Sequence, residues 1–468
     1  LRYVMKFGGS SLAGAKGIRN AVEIVNESLK SGCQLVVVVS AFPEVTSELL
    51  SITTKAMEGD IGSVNSFVER QLEHHRRIAT ECIQGSSALE MVLRELEGIS
   101  KELGGILRSI ARLEELTPRS KDFVLSFGER LSAPIFCGAA NYAGINAVWL
   151  TGGETGIITN EVYGDSTPLM DITIRQVKNK LERLLETRTL PIVAGFGAST
   201  PRGVTTTLGR GGSDYTATII GAALSVDEVV LWKDVDGLMT ADPTIEAGAK
   251  VLPHVSYAEA SEMAYFGTKV IHPRALEPVA DRQIPVRIRN AFNRNSEGTL
   301  VAGDTSERSK EIVKAITMIK KLALINVTGS GMSGLPGVAA KVFRVLGDAG
   351  VNILMISQSS SEAGISFVTA RDHLERAKSA LELSVLGVEV VRDMSTEDDV
   401  CIIAAVGAEM KGTPGVAARV FSAVAKAGVN VRMIAQGSSE LNISFVVTEK
   451  DGPKAVLALH KEFGLDST

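Results

Sequence analysis

No apolar run in the 468 residues approaches the roughly 18 needed to span a bilayer, and the longest candidates, such as Leu35–Val39, are only strand-sized. No membrane partner is expected. The chain also lacks an excess of positive charge. Its 49 Lys and Arg face 54 Asp and Glu, a formal net charge of −5, which argues against a nucleic-acid partner, since that role calls for a basic patch and a high pI. Cysteine is scarce. Cys33, Cys82, Cys137 and Cys401 lie far apart in apolar surroundings, with neither zinc nor redox spacing. They are expected as buried small hydrophobes in a reducing cytoplasm, and no metal site is expected. The N-terminus is expected to enter a strand at once, without a signal-peptide pattern. A GxxxxGK[ST] phosphate loop is missing too. His74 and His75 are expected to be solvated and to have no role.

The chain does have enough length for about three domains at ~150 residues each. Its 45% hydrophobic and 22% charged content is that of an ordinary globular chain. The 45 glycines cluster. Val4–Phe7 followed by Gly8-Gly9-Ser10-Ser11 reads as a strand ending in a glycine turn, with a helix over Lys16–Leu29. The continuous β-branched run Leu35–Val39 marks a strand buried on both faces. Together these form a parallel βαβ unit. Further strand-to-turn passages follow at Ala147–Leu150, Leu190–Phe196 and Glu228–Trp232. Amphipathic helices are expected over Asn65–His75 and Ser87–Leu116. To about Val301 the chain therefore reads as an α/β domain with a mostly parallel sheet and a site beyond the carboxyl ends of its strands.

Gly303–Lys310 reads as a polar linker, after which the chain repeats itself. Leu322–Ala370 aligns with Val400–Thr448 at a constant offset of about 78 residues. Pro336-Gly337-Val338-Ala339-Ala340 matches Pro414-Gly415-Val416-Ala417-Ala418, and Ala349-Gly350-Val351-Asn352 matches Ala427-Gly428-Val429-Asn430. Two copies of one small module follow from this. The first copy has a candidate final strand, Val388–Val391, and the second has none. Ile312–Met318, strand-like and without a role in the first copy, is expected to complete the second, because an open edge is a liability. The expected divisions are 1–302, 303–320, 321–396 and 397–468.

Polar residues stand at the strand ends. Lys6 precedes Gly8-Gly9, where glycine lets backbone N–H groups approach an anion; it fits a phosphate ligand or a plain strand-end lysine. Ser40 and Thr46 follow a buried strand as hydroxyl ligands or as turn and N-cap residues. Glu129, in the apolar stretch Ser126–Arg130, needs a cationic partner, either a substrate ammonium or an internal arginine. Thr205–Tyr215 is the most specific stretch. Gly209, Gly211 and Gly212 open a loop, Arg210 offers a fork to a carboxylate, and Ser213 and Asp214 open a helix whose N-terminus favours anions. Lys233-Asp234-Val235-Asp236-Gly237 reads as a nucleotide-edge loop or an Asp-Gly turn. Lys269 adds a second lysine, useful where phosphate charges meet.

With these motifs the whole chain resembles the aspartate kinases of the amino acid kinase superfamily. The resemblance rests on Lys6–Ser11, Val39-Ser40-Ala41, Phe127–Arg130, Thr207–Asp214, Lys269–Pro273 and the paired C-terminal modules, which resemble ACT domains. It implies an αβα sandwich with a mostly parallel sheet, followed by two α+β, ferredoxin-like ACT modules. It implies transfer of phosphate from MgATP to the side-chain carboxylate of L-aspartate. Lys6, with Gly8, Gly9 and Ser10, would meet ATP phosphate. Ser40, Thr46 and Glu129 would hold aspartate, with Glu129 facing its ammonium. Arg210 would grip a substrate carboxylate beside Gly211, Gly212 and Ser213. Asp214 would orient the lysines. Lys233, Asp234, Met239, Thr244 and Lys269 would line the nucleotide. Ser10 stands where Thr is usual, and Lys233, Met239 and Thr244 stand where Thr, Tyr and Arg are common. The chain looks monofunctional, with no homoserine dehydrogenase domain after the second module.

The ACT modules imply an amino-acid effector and a homodimer or tetramer. Met332, Gly337, Val338, Asn352, Ile353, Gln358, Asn430 and Gln436 are the candidate effector residues. The amides of Gln358 and Gln436 resemble threonine-responsive members more than lysine-responsive ones. Competing expectations are a kinase of glutamate, acetylglutamate or carbamate, and an inactive amino-acid sensor. The double ACT tail and the Phe-Gly-Glu-Arg stretch favour aspartate, while Lys6, Arg210, Asp214 and Lys269 argue for catalysis.

Overall fold

The computed structural model describes residues 1–85, 87–268, 270–303, 311–329, 335–359, 364–384 and 392–466. Its strands are β1 (Arg2–Phe7), β2 (Gln34–Val39), β3 (Ala147–Thr151), β4 (Leu190–Ala194), β5 (Gly197–Ser199), β6 (Thr205–Thr207), β7 (Glu228–Lys233), β8 (His254–Ser256), β9 (Val286–Asn290), β10 (Thr299–Ala302), β11 (Ala315–Thr328), β12 (Ile353–Gln358), β13 (Gly364–Ala370), β14 (Asp393–Val406), β15 (Met433–Ala435) and β16 (Asn442–Thr448). The helices used below are α1 (Gly14–Lys30), α2 (Val45–Met57), α3 (Ile61–Cys82), α4 (Ser87–Leu113), α5 (Pro118–Leu125) and α6 (Phe127–Tyr142).

The first unit comprises Leu1–Leu238, Pro253–Tyr257 and Val270–Thr305. Its sheet runs β3-β4-β2-β1-β7-β9-β10-β8, parallel except where β9 meets β10. Leu35–Val39 is fully buried because the sheet is covered on both faces, which is what an unbroken β-branched run requires. The chain steps from β1 to β2 on one side of the centre and later places β7 on the other side of β1. The carboxyl ends of β1 and β7 therefore flank a topological switch point, the usual place for a ligand crevice in such sheets. Helices α1, α3, α4 and α6 bury apolar stripes in one core with Phe7, Leu35, Leu103 and Phe136. The strand expected over Leu190–Phe196 stops at Ala194. There Gly195, Phe196 at φ +65° and Gly197 turn the chain into the β5–β6 hairpin.

The second unit holds a sheet of order β12-β13-β11-β14-β16-β15, antiparallel throughout. Two long strands serve both copies of the repeat. The second half of β11 (Leu322–Thr328) pairs with β13 and with the start of β14, while Ala315–Ile319 pairs with Ile402–Val406. Between the halves the register shifts, and Lys321 takes φ +60°. The 396/397 division thus falls inside one continuous strand. The strand that pairs with Asn326–Thr328 is Asp393–Ser395; Val388–Val391 lies outside the described residues. Two cores form on this sheet, one around Val342, Phe367 and Leu381, the other around Val420, Phe445 and Leu459.

One expected boundary needs correction. The second unit also contains Met239–Leu252 and Ala258–Lys269, so the chain does not divide at a single point near 302. Hydrogen bonds give the reason. Ile316 N donates to the Thr240 carbonyl at 2.8 Å, and Thr240 Oγ1 lies 3.0 Å from His460 Nε2. Glu259 pairs with Lys314 at 2.9 Å and accepts from the Ala408 amide at 2.9 Å.

Two further corrections concern single residues. His75 is fully buried rather than solvated, stacked on Phe42 at 5.2 Å with Nδ1 2.7 Å from the Gln71 carbonyl. Burial pushes its pKa down to about 4, so it packs as a neutral ring. Cys33 is only partly buried, whereas Cys82, Cys137 and Cys401 are buried. Burial pushes those three thiols up, to about 11, 12 and 12. No described helix is long and apolar enough to cross a membrane.

Candidate active site

Lys6 is next to last in β1 and Lys233 is the last residue of β7, and both reach one carboxylate. Lys6 Nζ lies 2.6 Å from Asp214 Oδ1, and Lys233 Nζ lies 2.7 Å from Asp214 Oδ2. Asp214 sits in the first turn of the helix Gly212–Leu224, which is buried almost all round and so presents a fixed N-terminus. Burial works to raise the Asp214 pKa, but the charges and hydrogen bonds of Lys233 and Lys6 outweigh it and hold the carboxyl at about 2. Burial pulls Lys6 down to about 8, with the neighbouring Lys233 charge acting in the same sense. Two cations on one anion leave a net positive pocket at the switch point. Gly8 lies between them: its amide donates to the Trp232 carbonyl at 3.1 Å, and a Cβ there would stand 3.6 Å from Lys6 Nζ and 3.8 Å from Lys233 Cδ.

A second cluster is built around a buried carboxylate rather than around ammonium groups. Glu129, in the first turn of α6, is only 4% exposed. Ser213 Oγ donates to its Oε1 at 3.4 Å, while Oε2 is buried without a hydrogen-bond partner. Burial lifts this carboxyl to about 7, against the pull of the Ala41 amide, its own amide and Lys6. Arg130 is not its partner, since that guanidinium pairs with Glu102 and lies over the Phe127 ring. A buried carboxylate oxygen without a donor is costly unless a cation arrives to meet it.

The loop Ser40–Thr46 is pressed against this cluster. Ser132 Oγ donates to the Ser40 carbonyl at 2.8 Å. A Cβ on Gly128 would stand 2.8 Å from Ala41 Cβ and 3.7 Å from Thr46 Oγ1, and a Cβ on Gly9 would meet the Ala41 carbonyl oxygen at 2.8 Å. Arg210 is exposed on its glycine loop. Gly211 takes φ +71°, and a Cβ there would collide with His272.

Not every expected residue joins these clusters. Asp234 is exposed. Met239 and Thr244 fall in the second unit, where Met239 bridges Val251 and Thr244 is tied by N and Oγ1 to Asp242 Oδ1. Lys269 and Met332 lie outside the described residues. Among the effector candidates, Gly337 at φ +93° precedes the helix Val338–Asp348, the Asn352 carbonyl accepts from Thr369, and Ile353 and Gln358 bound β12. Gln436 follows β15 directly and Asn430 precedes it, both exposed.

Two positioning residues escaped the sequence reading. Asp122 in α5 is fully buried and accepts from the amides of Thr207 (2.9 Å) and Gly164 (3.0 Å), anchoring the strand that leads to Arg210. The signal was a lone carboxylate next to an apolar run, which must find donors. For Ser132 the overlooked signal was helical spacing, since it lies three residues after Glu129 and thus on the same face.

The parallel sheet with its switch-point lysines and the doubled antiparallel module each match a known family. Residues 2–290 match the amino acid kinase family, and residues 325–384 and 403–463 match the ACT domain. The chain belongs to the amino acid kinase family and, within it, to the aspartokinases. It is 34% identical over 467 residues to Aspartokinase 1, chloroplastic, of Arabidopsis thaliana, covering 98% of this chain and 80% of that one. It is 36% identical over 475 residues to Bifunctional aspartokinase/homoserine dehydrogenase 2, chloroplastic, of the same plant, covering 99% of this chain and 51% of the relative. The chain thus spans about half the length of the bifunctional relatives it matches. The crystal structure of E. coli aspartokinase III in complex with aspartate and ADP (R-state) superposes with a TM-score of 0.83 at 26% identity, covering 99% of this chain and 100% of that one. The same enzyme with lysine and aspartate (T-state) gives 0.80 at 27% identity, covering 98% and 99%.

Proposed function

We propose that the chain is an ATP-dependent aspartate kinase, transferring the γ-phosphoryl group of ATP to the side-chain carboxylate of L-aspartate. The products are 4-phospho-L-aspartate and ADP, the first step toward lysine, threonine and methionine. The observation that carries this reading is the pairing of two unlike clusters joined through the neighbouring residues Ser213 and Asp214. One is a lysine–aspartate cluster with spare positive charge, the other a buried glutamate with an unfilled acceptor. The first suits a polyphosphate and the second an amino acid's ammonium. The aspartate and ADP named with the E. coli enzyme support the same pairing.

In this reading Lys6, beside Gly8, Gly9 and Ser10, neutralises charge on the transferring phosphoryl group. Phosphoryl transfer needs positioning and charge neutralisation more than covalent help. Glu129 takes the α-ammonium, with Ser40, Thr46 and Ser213 around it. Arg210, exposed and mounted between glycines, closes on a substrate carboxylate, and Gly211 and Gly212 leave room for that approach. Lys233, Asp234, Met239, Thr244 and Lys269 remain the proposed nucleotide contacts. Mg2+ would travel with ATP, coordinated by its phosphates. Both Asp214 oxygens are already taken by lysines, and among the described residues no cluster of three His, Cys, Asp or Glu could hold a metal.

For the ACT modules the reading is threonine inhibition through Gly337, Val338, Asn352, Ile353 and Gln358 of the first copy, with Asn430 and Gln436 the matching positions of the second. Met332 belongs to the same proposal, as do a homodimer or tetramer joined through the modules and a cytoplasmic location. The test is ATP-dependent aspartyl hydroxamate formation, with glutamate and acetylglutamate as rival acceptors. Turnover with aspartate alone is expected, and turnover only with a rival, or none, overturns the reading. Millimolar threonine should lower the rate; no effect defeats the threonine assignment, and inhibition by lysine alone transfers it to lysine.

A further inference from the structure

The glycine loop that carries Arg210 is gripped on two sides. A Cβ on Gly209 would collide with the Asp165 carboxylate, and one on Gly211 would collide with the His272 side chain. Both glycines take φ +71°, so the backbone on either side of Arg210 is pressed against a side chain that leaves no room for a methyl group. Asp165 is itself fixed. Its carboxylate pairs with the Arg274 guanidinium, and the amide of Ser166, next along the chain, donates to the Thr207 carbonyl at 2.9 Å. Arg274 in turn lies over the Tyr215 ring, 5.4 Å from its centroid. Tyr215 follows Asp214 in the helix Gly212–Leu224. One ion pair thus spans from the start of the loop to the helix that ends it. Charge makes the pair more than a strut. An arginine side chain can fold back onto a carboxylate beside the residue that precedes it, and the two groups suit each other well. Yet Arg210 is exposed, and among the described residues its guanidinium has no ion-pair partner. Asp165 is turned to Arg274 instead. Without Arg274, a side chain 67% exposed and negatively charged would stand unpaired beside the Arg210 loop.

We propose that Asp165 and Arg274 form a clasp that positions the Arg210 loop, and that Arg274 occupies Asp165 so that Arg210 stays open to a carboxylate of the acceptor amino acid. This rests on the kinase reading above. Both residues act through Arg210 and are positioning residues. The clasp does two things at once. It holds the loop backbone in one place, which a guanidinium that must meet a small substrate requires. It also removes a competing anion that belongs to the chain itself. Loss of the second function weakens acceptor binding without touching the phosphoryl donor, so it falls on the aspartate KM rather than on kcat.

The experiment uses the full chain with Arg274→Met, Arg274→Lys, Asp165→Asn and the double variant Asp165→Asn/Arg274→Met, each checked by thermal melting. Steady-state rates give KM for aspartate and for ATP, and hydrogen exchange read by mass spectrometry follows the amides of residues 208–213. Arg274→Met should raise the aspartate KM by about tenfold or more, with kcat and the ATP KM within about threefold of the parent. The double variant should bring the aspartate KM back down by about threefold or more, because the competing anion is gone. Lost packing on Tyr215 alone cannot produce that reversal. Arg274→Lys keeps the charge and should recover most of the parent's aspartate KM. Asp165→Asn, at an exposed position, should speed exchange of the loop amides by about threefold or more, and it decides the clasp should Arg274→Met not fold. A parental aspartate KM in Arg274→Met, a double variant no better than Arg274→Met, or unchanged loop exchange in Asp165→Asn overturns the proposal. Should the parent fail to phosphorylate aspartate, the kinase reading falls, and loop exchange in Asp165→Asn and Arg274→Met still decides the clasp.

Discussion

Glu129 makes the substrate site sensitive to pH in a direction that the structure sets. Its carboxyl rises from an ordinary 4.5 to about 7 because it is buried. At 1.36 kcal/mol per unit this is about 3 kcal/mol of disfavour for the ionised form. A substrate ammonium binds the ionised form, so below pH 7 aspartate binding must release a proton. The apparent aspartate affinity should then improve nearly tenfold per unit from pH 5 to 6 and level off above 7. Calorimetry at pH 6 in buffers of different ionisation enthalpy should report close to one proton released. Glu129→Gln should flatten this profile and weaken binding by about 2–4 kcal/mol, the cost of losing a charged hydrogen-bonded partner. The stability sign is opposite. Between pH 4.5 and 7 the folded chain binds more protons than the unfolded chain, so this group's contribution becomes less favourable as pH rises through that window. Above pH 7 and without ligand, the Gln variant should therefore melt higher than the parent, with the difference vanishing below about pH 4.5. A pH-independent aspartate affinity from 5 to 8, with no proton released at pH 6, would refute the argument.

Lys6→Ala should lower turnover by several orders of magnitude while effector binding to the ACT modules, measured by calorimetry, stays intact; parental turnover would remove Lys6 from the chemistry. With Lys6 held near 8, kcat/KM for ATP should decline as pH rises through that value, because the neutral amine no longer meets phosphate. Asp214→Asn leaves two facing ammoniums without their anion and should cost about 3–5 kcal/mol in urea denaturation at pH 7; that loss should shrink as pH falls through about 2, where the parent's carboxyl is neutralised too. Gly128→Ala puts a methyl 2.8 Å from Ala41 Cβ, so the Ser40–Thr46 loop must shift. We expect about 1–3 kcal/mol of destabilisation and a raised aspartate KM, and an unchanged KM would show that the loop has slack.

The legible parts of the sequence were those where one local rule suffices. Leu35–Val39 announced a strand covered on both faces, and the glycines around Arg210 announced an open loop. Glu129 was legible as a carboxylate in need of a cation, although the rival partner Arg130 could be dismissed only once its guanidinium was seen on Glu102 and the Phe127 ring. His75 was misread because adjacency to His74 and several charged residues looked like a solvated face. Helix α3 instead turns position 75 inward onto Phe42, and one residue of rotation, about 100°, separates the two environments.

Chain continuity also misled where contacts were decided at long range. Met239–Leu252 and Ala258–Lys269 lie between strands of the first sheet in sequence, and no composition shift marks them off. They fall in the second unit because partners far along the chain claim them: His460 for Thr240, and Lys314 together with the Ala408 amide for Glu259. A carboxylate as buried as Glu259, fully excluded from solvent, must be paired wherever its cation is found, and here the cation is 55 residues away. Spacing rules see neighbours within a turn or a hairpin. They cannot see that a segment's polar groups are satisfied only by residues of a later module, which is why the repeat was visible in the sequence and the pieces of chain that join it were not.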